Sequence, residues 1–478
     1  MMLKTLLLNP PSFDGFDGGA GSRYQARREI RSFWYPTWLA QPAALIPGSR
    51  LVDAPPHGIG VEEALALAAQ YELVIVHTST PSFQSDRRFV AALKARRPAA
   101  TVGFVGAHVA VLPEQTLRAC PDIDFVARHE FDFTLKEVAE GRPFDEIDGI
   151  SYVDRETGTI VHRPGRRLIT NMDELPSVVD VYQRDLRIDN YYIGYLKHPY
   201  VSLYTGRGCA SHCTFCLWPQ TIGGHTYRVR SPESVYEELK RAGSLFPQVK
   251  EYFFDDDTFT DNRPRAAEIA GRLKPLGLTW SCNAKANVPY ETLRAMREGG
   301  LRLLLVGFES GNQQILNNIR KGTRIDRARR FVADCKRLGI KIHGTFILGL
   351  PGETQQTIQR TIEFARAVDP ETIQVSLAAP YPGTELYDQA VRNGWLKQEA
   401  LLDAHGLQDA TLEYEDLSKE EIFRAVEEFY RRFYLRPRPI LRIVKEMALD
   451  RRECTRRLRE GYEFIRFLSE RRQPAQAH

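Results

Sequence analysis

Eleven short apolar runs alternating with stretches of helical periodicity constrain this chain more than any other feature. Five lie near residues 5–8, 50–53, 73–77, 102–105 and 124–127, with helix-like segments such as 61–70 and 85–95 between them. Six more lie at 200–205, 249–255, 278–284, 301–308, 341–348 and 372–377, each followed by a helical pattern. Alternation of this kind predicts an α/β chain, because each sheet face must be covered by the helices that connect its parallel strands. The first set predicts a doubly wound sheet over 1–150, and the second a parallel barrel, or part of one, over 196–397. Residues 151–195 are expected to form a linker, a small hairpin-like region followed by a connector, and 398–478 a helical region. A length of 478 residues supports two or three domains with large cores.

Ligands of doubly wound sheets sit beyond the carboxyl ends of the strands. At those ends stand Asn9-Pro10-Pro11, Thr78-Ser79-Thr80, Gly106-Ala107-His108 and Arg128-His129-Glu130. Five strands in this order predict a flavodoxin-like (Rossmann-type) fold. The first connection, 13–39, is long, with a glycine-rich part (14–24) and an aromatic part (Phe33, Trp34, Tyr35, Trp38). Long connections usually carry function, so it is expected either to touch substrate or cofactor or to plug the domain interface with its aromatic rings.

The first unit of the second set is followed by Cys209-Ala-Ser-His-Cys213-Thr-Phe-Cys216, at the rim where parallel barrels carry their chemistry. Three thiolates on one short loop can hold three corners of an iron–sulfur cube and leave the fourth iron open. The competing reading, structural zinc, needs four closed ligands. His212 lies inside the loop, and Cys120, Cys282, Cys335 and Cys454 are scattered, so that ligand count falls short. The spacing with Phe215 before the last cysteine, and the preceding Tyr204-Thr205-Gly206-Arg207-Gly208, is similar to the signature of radical S-adenosylmethionine (SAM) enzymes.

That resemblance implies a partial six-unit TIM-type barrel, a 4Fe-4S cluster on Cys209, Cys213 and Cys216, and SAM chelated by the open iron. It implies cleavage of SAM to a 5′-deoxyadenosyl radical, with a reductase such as flavodoxin or ferredoxin as electron donor. The acidic run Asp255-Asp256-Asp257 ends the second barrel strand, where neighbouring like charges repel unless a cation or hydrogen-bond donors meet them. By resemblance Asp256 and Asp257 approach the SAM ammonium, and Phe215, Lys285, Glu309 and Ser310 complete its contacts. Helix capping is the competing role for Asp257 and for Thr354.

Over nearly the whole chain the resemblance extends to the cobalamin-binding subgroup. It implies cobalamin contacts by Asn9, Pro10, Thr78, Ser79, Gly106, Ala107, His108, Arg128 and Glu130. Two glycines of that subgroup's segments are replaced here by Ala107 and His129, and its Asp-x-His-x-x-Gly motif for an axial histidine is absent. Cobalamin bound with its base detached and no protein ligand, ligation by His77, His108 or His129, and loss of the cofactor all stay open.

The opening Asn-Pro-Pro segment, 32–45 and Cys216-Leu217-Trp218-Pro219-Gln220 resemble hopanoid-biosynthesis radical SAM proteins of the bacteriohopanetetrol cyclitol ether type. The expected reaction is then ring contraction of the sugar-derived head group of a hopanoid lipid. The alternatives are a cobalamin-dependent methyltransferase or cyclase and, outside enzymes, an iron–sulfur electron carrier or sensor. A methylthiotransferase acting on nucleic acid would call for a strongly basic surface or an added RNA-binding domain, and a net charge of +4 speaks against it. No apolar run spans a membrane, residues 1–8 are short for a signal peptide, and the cysteines read as reduced. A cytoplasmic protein is expected. The end of the chain is basic, with sixteen Lys/Arg against ten Asp/Glu over 418–472. Its helices are expected to pack an apolar stripe on the barrel, or to touch an anionic inner-membrane surface peripherally.

Overall fold

The computed structural model describes residues 2–15, 32–398, 401–402, 408–449, 455, 458–459 and 461–463. Within them two sheets form. The first takes β1 (Thr5–Asn9), β2 (Arg50–Asp53), β3 (Leu73–His77), β4 (Thr101–Val105) and β5 (Phe125–Ala127) in the parallel order 2-1-3-4-5. The inner strands β1 and β3 are buried at every residue, as helix-covered parallel strands must be. The flavodoxin-like order expected from the sequence is therefore the observed one.

The stretch read as linker opens with the hairpin expected of it, and this hairpin joins the first sheet. β6 (Ile150–Val153) and β7 (Ile160–His162) form a hairpin that extends the same sheet antiparallel beside β5. Arg128, expected near a cofactor, instead donates to the carbonyls of Ile150 and Arg163 and ties this hairpin to the end of β5.

The second sheet holds β8 (Tyr200–Leu203), β11 (Glu251–Phe254), β12 (Trp280–Ala284), β13 (Leu301–Glu309), β14 (Lys341–Leu348) and β15 (Thr372–Leu377), all parallel and in sequence order. Between the first two lies a two-residue ribbon, β9 (Gly206–Arg207) with β10 (Arg228–Val229). Six strands in one arc make a partial barrel. Its helices start on ordinary signals: Ser231 caps Pro232–Leu245, and Thr354 caps Gln355–Val368 in a capping box.

An arc of six strands leaves β15 as an open edge whose N–H groups need partners. The helix Lys419–Tyr434 covers it. Ser418 and Glu421 form its capping box, and Val426, Phe429, Tyr430 and Phe433 are buried against the barrel. The Tyr434 hydroxyl accepts from Ile373 N (3.0 Å), the Tyr430 hydroxyl from Val375 N (2.9 Å), and Gln408 Oε1 from Leu377 N (3.2 Å). Three alternating edge amides are thus met by three side chains. Two of the three come from this helix, whose expected apolar stripe packs on the barrel.

Candidate active site: the cysteine loop between two sheet edges

The sheets meet by their carboxyl ends, across buried ion pairs. Arg207 makes a two-pronged pair with Asp132 (2.6 and 3.0 Å), and Arg228 another with Glu130 (2.7 and 2.8 Å). Fully desolvated charges persist only when so matched. Trp38 lies flat on Trp218 with ring centroids 5.2 Å apart, and the Arg207 guanidinium stands over Trp38 at 4.4 Å. The Tyr35 hydroxyl donates to Tyr200 O (2.7 Å). Phe33 to Trp38 therefore plug the interface; 16–31, the rest of the long first connection, lie outside the described residues.

The cysteine loop leaves β9 and returns through the turn Pro219–Gly223. Gly208 sits at φ +85°, crowded by the carbonyls of Gly223, Gly224 and Thr226, so no side chain fits where the loop departs. Gln220 holds the loop from inside. Its Nε2 donates to Cys216 O (2.7 Å) and to the carbonyls of Cys213 and Thr214 (3.3 Å each), while its Oε1 accepts from Glu385 N (2.9 Å). Thr214 N donates to Ile319 O (3.1 Å).

All three thiols lie within electrostatic reach of one another. Burial raises the pKa of Cys216, and Asp257, Cys213 and Cys209 raise it further. Burial also raises that of Cys213, opposed by Lys321. Buried thiolates this close require a cationic centre, and a cube meets them at three separate corners. Among the described residues no three His, Cys, Asp or Glu side chains are gathered as tightly as a single metal ion needs. His212 stacks instead on His225, centroids 4.2 Å apart. By count, three cysteine donors match the three corners of an open-iron cube and fall one short of the four closed ligands of structural zinc.

The expected SAM residues divide. Asp257 approaches Cys216. Lys285 pairs with Asp261 (2.7 Å) and lies near enough to Cys213 to lower its pKa. Glu309 holds φ +61°, a costly conformation for a side-chain residue, and accepts from Lys321 Nζ (2.6 Å). Any Cβ at Gly307 would overlap that carboxylate. Burial would lower the pKa of Lys321, but Glu309, Cys213 and Cys216 outweigh it and raise it. Phe215 lies under this ammonium, 6.0 Å from it. Lys321 and Gln220 were not among the expected residues: both lie outside the cysteine spacing and the strand-end segments.

Asp256 is placed differently. It is fully buried and accepts from Thr205 N, Thr205 Oγ1 and the Tyr227 hydroxyl, each at 2.6 Å. Burial raises its pKa against Arg265 and these donors. The carboxylate is a strut between β11 and β8. Ser310 is likewise buried, with Thr361 Oγ1 at 3.1 Å, and accepts from Asn312 N (3.2 Å).

The residues expected at cobalamin also separate. Glu130 is spent on Arg228 and on Ile169 N (2.9 Å), and Asn9 Nδ2 donates to Asp53 (2.6 Å), which also accepts from the Tyr191 hydroxyl (2.8 Å). Pro10, like these, is buried. Thr78, Ser79, Gly106, Ala107 and His108 come together at the ends of β3 and β4. Gly106 has φ +120°, and a Cβ there would overlap Thr78 O. The His108 ring stacks on Phe83 (4.5 Å), with Nδ1 3.2 Å from Thr80 Oγ1. Burial lowers the pKa of His77 and of His108 to about 4, so both are neutral imidazoles. His129 Nδ1 lies 2.8 Å from Thr221 O, and Val111 meets Gly383 of the loop after β15. The ends of both sheets thus converge on the turn that follows the cysteines.

The radical SAM superfamily matches residues 203–365. An uncharacterised methyltransferase of Pyrococcus horikoshii is 31% identical over 93% of this chain and 95% of its own length. The chain belongs to the radical SAM superfamily. It is an enzyme of that type, with a 4Fe-4S cluster and SAM as the family's cofactors. The radical SAM methyltransferase TsrM of Kitasatospora setae, solved with cobalamin and a [4Fe-4S] cluster, shares its fold, with a TM-score of 0.67 and 16% identity over 91% of this chain and 90% of that one. The hopanoid C-2 methylase of Rhodopseudomonas palustris is 28% identical over 41% of this chain and 38% of its own length.

Proposed function

We propose that this radical SAM enzyme is a cobalamin-dependent methyltransferase that places a methyl group from SAM on a carbon of an apolar substrate. The convergence of both sheet ends on the cysteine loop carries the reading. A group held at Thr78, Ser79, Gly106, Ala107 and His108 would then face one held by Cys209, Cys213 and Cys216. Asp257, Lys285, Glu309 and Lys321 lie within electrostatic reach of those thiols and bring both signs of charge, as the zwitterionic end of SAM requires. Bound there, the cluster supplies one-electron reduction and cobalamin supplies methyl carriage.

Methyl transfer, one of the alternatives drawn from the sequence, is supported by the whole-length relative, a methyltransferase. The ring contraction expected first has no such support among these relatives. Partial likeness to a hopanoid methylase makes a polycyclic lipid the first substrate to assay. Among the described residues no helix is long and apolar enough to cross a membrane. Peripheral contact with an anionic bilayer, expected from the sequence, would involve the helix Pro437–Leu449, on which Leu441 and Val444 are exposed. Arg451, Arg452, Arg456 and Arg457, expected to share that contact, lie outside the described residues.

The test is anaerobic turnover of cluster-loaded protein with hydroxocobalamin, dithionite, SAM bearing a trideuterated methyl, and a hopanoid fraction. Methyl transfer releases S-adenosylhomocysteine and gives a product carrying the label, together with 5′-deoxyadenosine where the radical step occurs. Deoxyadenosine with an isomeric, unlabelled product would restore rearrangement and remove methyl transfer.

A further inference from the structure

Directly behind the cysteine loop runs the sequence Arg320-Lys321-Gly-Thr-Arg324-Ile-Asp326-Arg327-Ala-Arg329-Arg330. It holds six Lys/Arg against one Asp, more net positive charge than the whole chain carries. Lys321 points inward to Glu309, and Arg320, Arg324, Arg327, Arg329 and Arg330 are exposed. The side chains of Arg320, Arg324 and Arg330 are 59%, 72% and 74% accessible. Their carboxylate contacts are few: Asp326 is shared by Arg324 (3.1 Å) and Arg330 (3.2 Å), and Arg320 meets Glu385 (2.7 Å).

Two observations separate this run from an ordinary solvated face. The first is electrostatic. Arg324 is the N-cap of the helix Ile325–Arg337 and Arg327 lies in its first turn, where the helix dipole is positive and cations are disfavoured. Stability does not ask for arginines there. The second is position. Arg320 O lies 3.9 Å from Cys213 Sγ, and Arg320 holds φ +52°, so the turn bearing the charges is in van der Waals contact with a cluster thiol. Lys321 N donates to Leu316 O (2.9 Å) and Ile325 N to Gln313 Oε1 (3.1 Å), which fixes both ends of the turn.

We propose that the exposed arginines at 320–330 form the docking surface for an acidic one-electron carrier protein of the flavodoxin or ferredoxin class. The inference rests on the reading that Cys209, Cys213 and Cys216 hold the cluster. One electron leaves the carrier, which is oxidised by one, and passes beside Cys213 to the cluster, which is reduced by one. The basic surface steers the acidic carrier to the side of the protein where that path is shortest.

Stopped-flow reduction of the cluster-loaded protein tests this, with acidic flavodoxin hydroquinone as reductant in one arm and dithionite in the other. The reduced-cluster EPR signal and the visible bleach are the readouts. In R324Q/R327Q/R330Q the second-order rate with flavodoxin should fall about ten-fold or more at low salt and converge with wild type at high salt. The dithionite rate should not change. The all-lysine triple variant should retain most of the flavodoxin rate. K197Q/K274Q, on the amino-terminal face of the barrel, should behave as wild type. Equal flavodoxin rates in wild type and the glutamine variant, or an equal loss in K197Q/K274Q, overturn the docking surface. If both reductants slow in the glutamine variant, the lysine variant decides, and its failure to recover the flavodoxin rate also overturns it. Absence of any dithionite-reducible signal in wild type would instead sink the cluster reading.

Discussion

Adjacent carboxylates with opposite roles mark the site most clearly. Asp256 is buried under three donors, whereas Asp257 approaches Cys216. Asp256→Ala should cost about 3 kcal/mol, since it strands buried donors. Asp257→Ala should cost less in chemical denaturation than Asp256→Ala and weaken SAM binding by equilibrium dialysis. Equal stability losses would show that both are struts. Glu353 offers a pH test away from the thiols. Burial raises its pKa to about 8, against the pull of Gly349 N (2.6 Å) and Leu350 N (3.1 Å), and its Oε1 has no hydrogen-bond partner among the described residues. A carboxyl with a raised folded pKa favours the fold below its ordinary pKa of about 4.5, and that stabilisation is lost as pH climbs through 8. Glu353→Gln should therefore flatten the fall in Tm between pH 6 and 8.5 in thermal melts. A fall as steep as in wild type would show that Glu353 is ionised in the fold.

Among elements, the helix Lys419–Tyr434 decides whether the partial barrel has a usable edge. Tyr430→Phe and Tyr434→Phe each keep the ring and delete one acceptor for a β15 amide. Each should cost about 1 kcal/mol. Hydrogen exchange should accelerate at Val375 in the first variant and at Ile373 in the second, while Leu377, held by Gln408, keeps its protection. Uniform acceleration along β15 would mean that the helix shields the edge merely by covering it. The periodicity of this helix was legible in the sequence, because apolar residues at helical spacing read directly as a buried stripe. The hydroxyls' partners were not, because they depend on which strand ends the arc.

Across the whole molecule, the ion pairs Arg207–Asp132 and Arg228–Glu130 bind the two sheets into one body. Arg207→Met leaves buried Asp132 without its partner and should cost roughly 3–5 kcal/mol. Calorimetry should then show the melt broaden or split as the sheets uncouple. Arg207→Met with Asp132→Leu should recover much of the loss, and its failure to do so would put the effect in packing on Trp38 rather than in charge.

At this scale the division between sequence and structure is plainest. Strand–helix alternation predicted both parallel sheets, since period and crossover length are local properties. The cysteine spacing likewise named its own chemistry, because three ligands within eight residues meet whatever surrounds them. Contacts between distant segments were decided only in three dimensions. The sequence could not show that Glu130 would be spent on Arg228, that Asp256 would turn inward, or that Lys321 would reach back to Glu309. Those outcomes depend on which carboxylates meet a buried cation when two sheets close on each other. Desolvation sets that choice, and it acts only once the chain is folded.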